Sequence, residues 1–243
     1  MKKIFSSLPV KLLIGIVIGI IFGQIFPENV MSVVVPLKNI LGQVINFVVP
    51  LIVIGFIAPS ITKLGNNASR MLGVALMVAY TSSVLAALLS MGAGYAIIPN
   101  LPVVSEIEGL KELPEDVFGL TIPQIMNVMS ALAFSILIGL AAIWTKAKTI
   151  ITILDEFQNI VLAIVSKIII PILPVFIAFT FTCLSYDGTI TKQLPVFVSA
   201  VVIVMIGHYI WLTVLYVVAG VYSGKNPIEV VKHYGPAYIT AVG

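Results

Sequence analysis

Tyr80, Thr81, Ser82 and Ser83 are four consecutive hydroxyl side chains set in an otherwise apolar stretch. Two kinds of chemistry suit them. Hydroxyls in a helix bond back to their own backbone carbonyls, the commoner use of such residues. Hydroxyl and carbonyl oxygens are also what a hard cation such as sodium accepts, by analogy with oxygen-ligated calcium sites. Lys167 and His208 are the ionisable groups placed well inside long apolar runs. A charge near a bilayer centre costs about 2.5–3.5 kcal/mol on insertion scales, so Lys167 must snorkel or face a polar interior. His208 suits a neutral hydrogen bond between helices more often than a functional proton site. The single cysteine, Cys183, excludes an internal disulfide and a cysteine-based metal site. His208 and His233 lie too far apart for a local metal pair. No Gly-rich phosphate loop, His-Glu-x-x-His, Gly-x-Ser-x-Gly or carboxylate pair within an apolar run occurs, so the reading is that this is not an enzyme.

The elements that must position these groups are membrane helices. Hydrophobic residues make up 60% of the chain and charged residues 9%, with mean hydropathy +1.16. A soluble domain carries roughly a quarter charged residues, so this chain cannot cover a surface in water. The net charge of +3 is too small to suggest nucleic acid. Six apolar segments meet the ~20-residue criterion for a bilayer span: 10–26, 39–61, 71–98, 125–144, 157–183 and 195–222. Lys2, Lys3 and Lys11 before the first run resemble a signal peptide, but no small-residue cleavage site follows, so the run is read as a retained first helix.

Charge placement tests the count. With a cytoplasmic N-terminus, the inner segments hold Lys2, Lys3, Lys11, Lys63, Arg70, Lys146, Lys148, Lys225 and Lys232. The outer ones collect Glu28, Glu106, Glu108, Glu112, Glu115, Asp116 and Asp187. That asymmetry obeys the positive-inside rule. Gly15, Gly19 and Gly23 form a doubled small-xxx-small ridge, which predicts close helix packing rather than a ligand role. Pro50 and Pro59 bend the second span, where Gln43 and Asn46 lie nearer the outer half, and Pro171 and Pro174 bend the fifth. Residues 99–124 read as an acidic external connector, a solvated loop more readily than a lid. Asp155 and Glu156 are expected to be solvated at the cytoplasmic face. Asn226 can cap a last helix that Gly235-Pro236 interrupts, leading either to a frayed tail or to the start of a re-entrant hairpin.

Several segments, in this order, resemble the dicarboxylate/amino acid:cation symporter family, which includes glutamate transporters. They are PVKLLIGIVIGIIFGQIFPE at 9–28, NFVVPLIVIGFIAPSITKLGN at 46–66, IVLAIVSKIIIPILPVFIAF at 160–179 and GKNPIEVVKHYGPAYITAVG at 224–243. The resemblance implies an all-α membrane fold of six transmembrane helices with a cytoplasmic N-terminus, followed by the start of a re-entrant hairpin. It also implies a division of labour. Residues 1–70 and 125–183 would be scaffold helices, 71–98 and 184–243 parts of a mobile transport domain, and 99–124 an external loop. The implied activity is symport of dicarboxylates or amino acids, an anionic or zwitterionic small-molecule substrate, coupled to sodium or protons. No cofactor beyond that cation is implied. The implied setting is the plasma membrane, as a multi-pass homotrimer. Family sodium ligation by a third-helix Thr-Ser pair maps onto Thr81 and Ser82, whereas the family's tyrosine three residues earlier is replaced by Val78, with Tyr80 adjacent instead. The family's Ser-rich hairpin tip, Asn-Met-Asp-Gly-Thr helix and main substrate ligands are expected beyond Gly243. The alternative is a non-transporting membrane subunit or degenerate paralogue.

The topology has a direct test. With Cys183→Ser as background, Glu108→Cys should react with an impermeant maleimide from outside the cell, and Lys148→Cys only after permeabilisation. Labelling of position 108 from the cytoplasmic side alone would sink the six-span arrangement.

Overall fold

A computed structural model describes residues 7–97, 110–116 and 119–224, together with Pro99, Asn226, Ile228, Glu229 and Lys232. It is all-helical, with no strand among the described residues. The helices are α1 (Leu8–Ile25), α2 (Glu28–Lys63), α3 (Ala68–Ile97), α4 (Val128–Trp144), α5 (Lys148–Ile164), α6 (Ile170–Tyr186) and α7 (Thr189–Tyr222). A π-helical turn, Val165–Ile169, joins α5 to α6, so Lys148–Tyr186 is one apolar element of 39 residues. Five elements are long and apolar enough to cross a membrane, and α4 is a shorter apolar helix of 17 residues. All six expected spans are therefore helical. The start of the re-entrant hairpin, and His233 and Gly235-Pro236 with it, lies outside the described residues. Asn226 does act as expected: its Oδ1 accepts the Ile228 backbone N–H at 3.0 Å.

Two helices run well past their expected ends. Hydropathy places the second span at 39–61, but α2 begins at Glu28, directly after Pro27 in extended conformation (φ −74°, ψ 164°). Asn29, Ser32, Pro36 and Lys38 dilute the local hydropathy. The extension is nevertheless helical because Met31, Val34 and Val35 bury against Cys183 of α6, with Phe26 and Phe179 alongside. The fifth span, expected at 157–183, likewise starts at Lys148. Residues 148–164 keep Ile150, Ile151, Leu154, Phe157 and Val161 between polar positions 148, 152, 155 and 159, an amphipathic spacing that suits an interface rather than a bilayer core.

The chain divides into two compact units. The larger comprises residues 11–80 and 111–187, hence nearly all of α1, all of α2, the start of α3 and α4 to α6. Within it, α2 packs on α4, α5 and α6. Glycines set the close approaches. A Cβ at Gly15 would lie 2.8 Å from the Pro174 carbonyl oxygen, and one at Gly19 or Gly23 would collide with the carbonyl oxygens of Ala178 and Thr182. The α1 ridge thus sits against the α6 backbone, as the small-residue spacing predicts, and Ser185 Oγ donates to the Ile20 carbonyl at 2.8 Å. Gly139 of α4 meets Ile61 and Ala58 of α2, and Gly55 of α2 meets Val161 of α5.

The π-helical turn has a local cause. Pro171 lacks the N–H that would bond the Lys167 carbonyl, and its ring crowds that carbonyl. Widening the preceding turn relieves both problems, and the Ile170 N–H reaches back to Val165 O.

The smaller unit comprises residues 1–10, 81–110 and 188–243. Its described part is chiefly α3 from Thr81 onward and α7.

The glycine ridge yields a paired test. Gly19→Ala should destabilise the protein by about 1–3 kcal/mol, since the added methyl meets backbone that cannot swing aside. Gly92→Ala faces open space and should be neutral or slightly stabilising. Thermal unfolding in detergent compares the two, and equal midpoints would mean that α1 and α6 do not approach as described.

Candidate functional site

The hydroxyl step lies in the middle of α3, where successive side chains point about 100° apart around the axis. The four residues therefore cannot share one environment. Tyr80, which belongs to the larger unit, is 75% exposed. Thr81 and Ser83 are exposed as well, and Ser82 is half-buried. Among the described residues, Ser82 is the one of the four with a side-chain partner: the Trp211 indole N–H of α7 donates to Ser82 Oγ at 3.1 Å. Val78, at the position where the family pattern carries its tyrosine, is exposed on the same helix. Thr81 and Ser82 are thus adjacent in sequence but turned differently, Thr81 outward and Ser82 toward α7.

Above this contact α3 and α7 line a cavity of about 420 Å³. Leu89, Ser90 and Gly94 contribute from α3, and Ile203, His208 and Trp211 from α7. Ser82, Ala86, Leu89 and Ala93 follow helical spacing, so one face of α3 carries both the hydroxyl and the cavity wall. His208 lines this space without a hydrogen-bond partner among the described residues. Its ring meets the adjacent Tyr209 edge-on, at 5.9 Å between centroids. The histidine-mediated bond between helices expected from the sequence is therefore made instead by Trp211, one helical turn further on.

Polar groups elsewhere tie the larger unit together. The Gln43 amide donates to Leu120 O at 2.7 Å and accepts the Ile122 N–H, while Asn39 Nδ2 donates to Asp116 Oδ2 at 2.8 Å. Lys111 N donates to Asp187 O at 3.0 Å, and its ammonium stands 5.4 Å from the Tyr186 ring centroid. Lys111, Asp116, Leu120 and Ile122 of the 99–124 connector are accordingly tied to α2 and α6. Asp155 is only partly solvated: Lys63 Nζ lies 3.1 Å from its carboxylate and also donates to Gln158 Oε1 at 3.1 Å. Lys167 is exposed on the π-helical turn. Among the described residues there is no cluster of His, Cys, Asp or Glu able to hold a metal ion.

The sequence singles out Ser82 and places Gln43 in the outer half of the second span, but it does not point to Trp211 as the partner of Ser82, to the connector as the partner of Gln43, or to Ser185. A signal for Trp211 was present, because an indole N–H within an apolar span needs an acceptor.

Long apolar helices define a multi-pass α-helical membrane protein. The model of the sodium:dicarboxylate symporter family matches residues 8–243, and the chain belongs to that family. Membership places it among transporters of small molecules in a lipid bilayer, a class that is not enzymatic. Searches of curated proteins and of solved structures return no match.

Proposed function

We propose that this protein is a secondary active transporter that takes up a dicarboxylate or an amino acid together with a cation, with Thr81 and Ser82 among the oxygen ligands of that cation. The family match over residues 8–243 carries the reading. Sodium is the preferred cation, with the proton as its alternative. A sodium ion leaving water exchanges its hydration shell for protein oxygens, and hydroxyls with helix carbonyls supply these without adding a charge. The half-buried Ser82 and exposed Thr81 leave oxygens available for that purpose. α3 has no acidic residue, so a balancing carboxylate would come from elsewhere.

Transport would proceed by alternating access, with one body of the protein moving against another. The separation into two compact units supports assigning a scaffold role to the larger and a mobile role to the smaller. The protein would act in the plasma membrane as a homotrimer joined mainly through the second, fourth and fifth spans. The α1 glycines are spent on packing within the chain and would not serve that interface.

Two measurements test the reading. In proteoliposomes containing the protein from its native reading frame, Thr81→Ala with Ser82→Ala should raise the sodium concentration needed for aspartate or succinate uptake. Each lost charge–hydroxyl contact is worth about 1.5–3 kcal/mol, or roughly ten- to a hundredfold. Uptake at saturating sodium should suffer less. Wild-type sodium dependence in a folded double variant would reduce the hydroxyls to structural groups. Native mass spectrometry of the detergent-solubilised protein should show three chains, and a monomer at all concentrations would count against the assembly.

A further inference from the structure

We infer that Trp211 is a positioning residue that holds down the cation affinity of Ser82, by occupying with its indole N–H a lone pair that the cation would otherwise use. The inference rests on the reading of Ser82 as a cation ligand.

A serine hydroxyl has one hydrogen to donate and two lone pairs to share. In a helix the hydrogen is readily turned toward a carbonyl one turn back. One lone pair of Ser82 is taken by the Trp211 N–H at 3.1 Å. The oxygen then has a single lone pair left for a cation. The N–H also places the positive end of its dipole toward that oxygen, so it opposes a second positive group approaching the same atom. An indole N–H is a donor only and cannot reverse its role. Nor is it readily given up, because an unpaired donor in apolar surroundings is penalised. Cation and indole therefore make the same demand on one atom, and each weakens the other's hold. The neighbouring hydroxyls of Thr81 and Ser83 are exposed and meet no such donor among the described residues, so the restraint falls on Ser82.

This arrangement has a consequence that a merely structural tryptophan would not. Loss of an ordinary packing or bonding residue weakens a nearby site or leaves it unchanged. Loss of a competitor strengthens it. Trp211→Phe keeps an aromatic ring in the half-buried position and removes the N–H. In proteoliposomes containing the protein from its native reading frame, it should lower the half-saturating sodium concentration for uptake about two- to tenfold, the range set by one neutral hydrogen bond. Ser82→Ala should move the same quantity upward.

A spectroscopic readout keeps Trp211 in place. Trp144 and Trp211 are the two tryptophans of the sequence, so Trp144→Phe leaves Trp211 as its sole reporter. Sodium chloride, but not choline chloride, should then change the Trp211 emission as the N–H···O bond loosens, and adding Ser82→Ala should abolish the response. If Ser82→Ala raises the sodium requirement while Trp211→Phe leaves it unchanged or raises it, the inference is overturned and Ser82 survives as a ligand. If Ser82→Ala leaves sodium dependence untouched, the ligand reading and the inference fall together. Absence of a sodium-specific emission change in the Trp144→Phe protein also overturns the inference, even should Trp211→Phe fail to fold.

Discussion

Between helices in a bilayer there is little hydrophobic gain in touching, because lipid tails are as apolar as leucine. Association then depends on close fit and on polar bonds. The larger unit uses both. Gly15, Gly19 and Gly23 let α1 lie against the α6 backbone, and Gly55 and Gly139 do the same for α2 with α5 and α4. Where side chains meet, they bond: Ser185 to the Ile20 carbonyl, Gln43 to the connector on two sides, Lys63 to Asp155 and Gln158. In the smaller unit Gly92 and Gly207 face open space. Trp211–Ser82 is a side-chain bond between its helices, and such bonds in membranes average about 0.6 kcal/mol. Close fit is thus prominent in the larger unit, and in the smaller one a weak polar bond spans α3 and α7.

A second constraint is that every backbone polar group within the bilayer must be satisfied internally. Prolines strain this rule, and the chain answers them locally. Pro36, Pro50 and Pro59 are carried inside α2 and buried. Pro171 is answered by the π-helical turn before it, which also places Lys167 on a widened stretch of backbone.

Membrane character, helix number and the positive-inside asymmetry were legible in the residues alone. So was the packing role of the α1 ridge, since small residues four apart allow close approach wherever a partner helix lies. These follow from how each residue partitions between lipid and water and from helical spacing, both local properties. The N-terminal extension of α2 was not legible, because residues 28–38 are too polar by composition and become helical by burying Met31, Val34 and Val35 on α6. The tying of Lys111, Asp116, Leu120 and Ile122 to α2 and α6 was also hidden, as Gln43 and its partners lie 77 and 79 residues apart.

The site divides along the same line. The sequence by itself determined that four hydroxyls stand in the middle of an apolar helix, because type and position are read directly. Tertiary structure decided that Ser82 alone among them meets a donor and that the donor is Trp211, 129 residues away. The 100° step between neighbours on a helix makes this unavoidable: four adjacent residues face four directions, and only the placement of α7 determines which one is met.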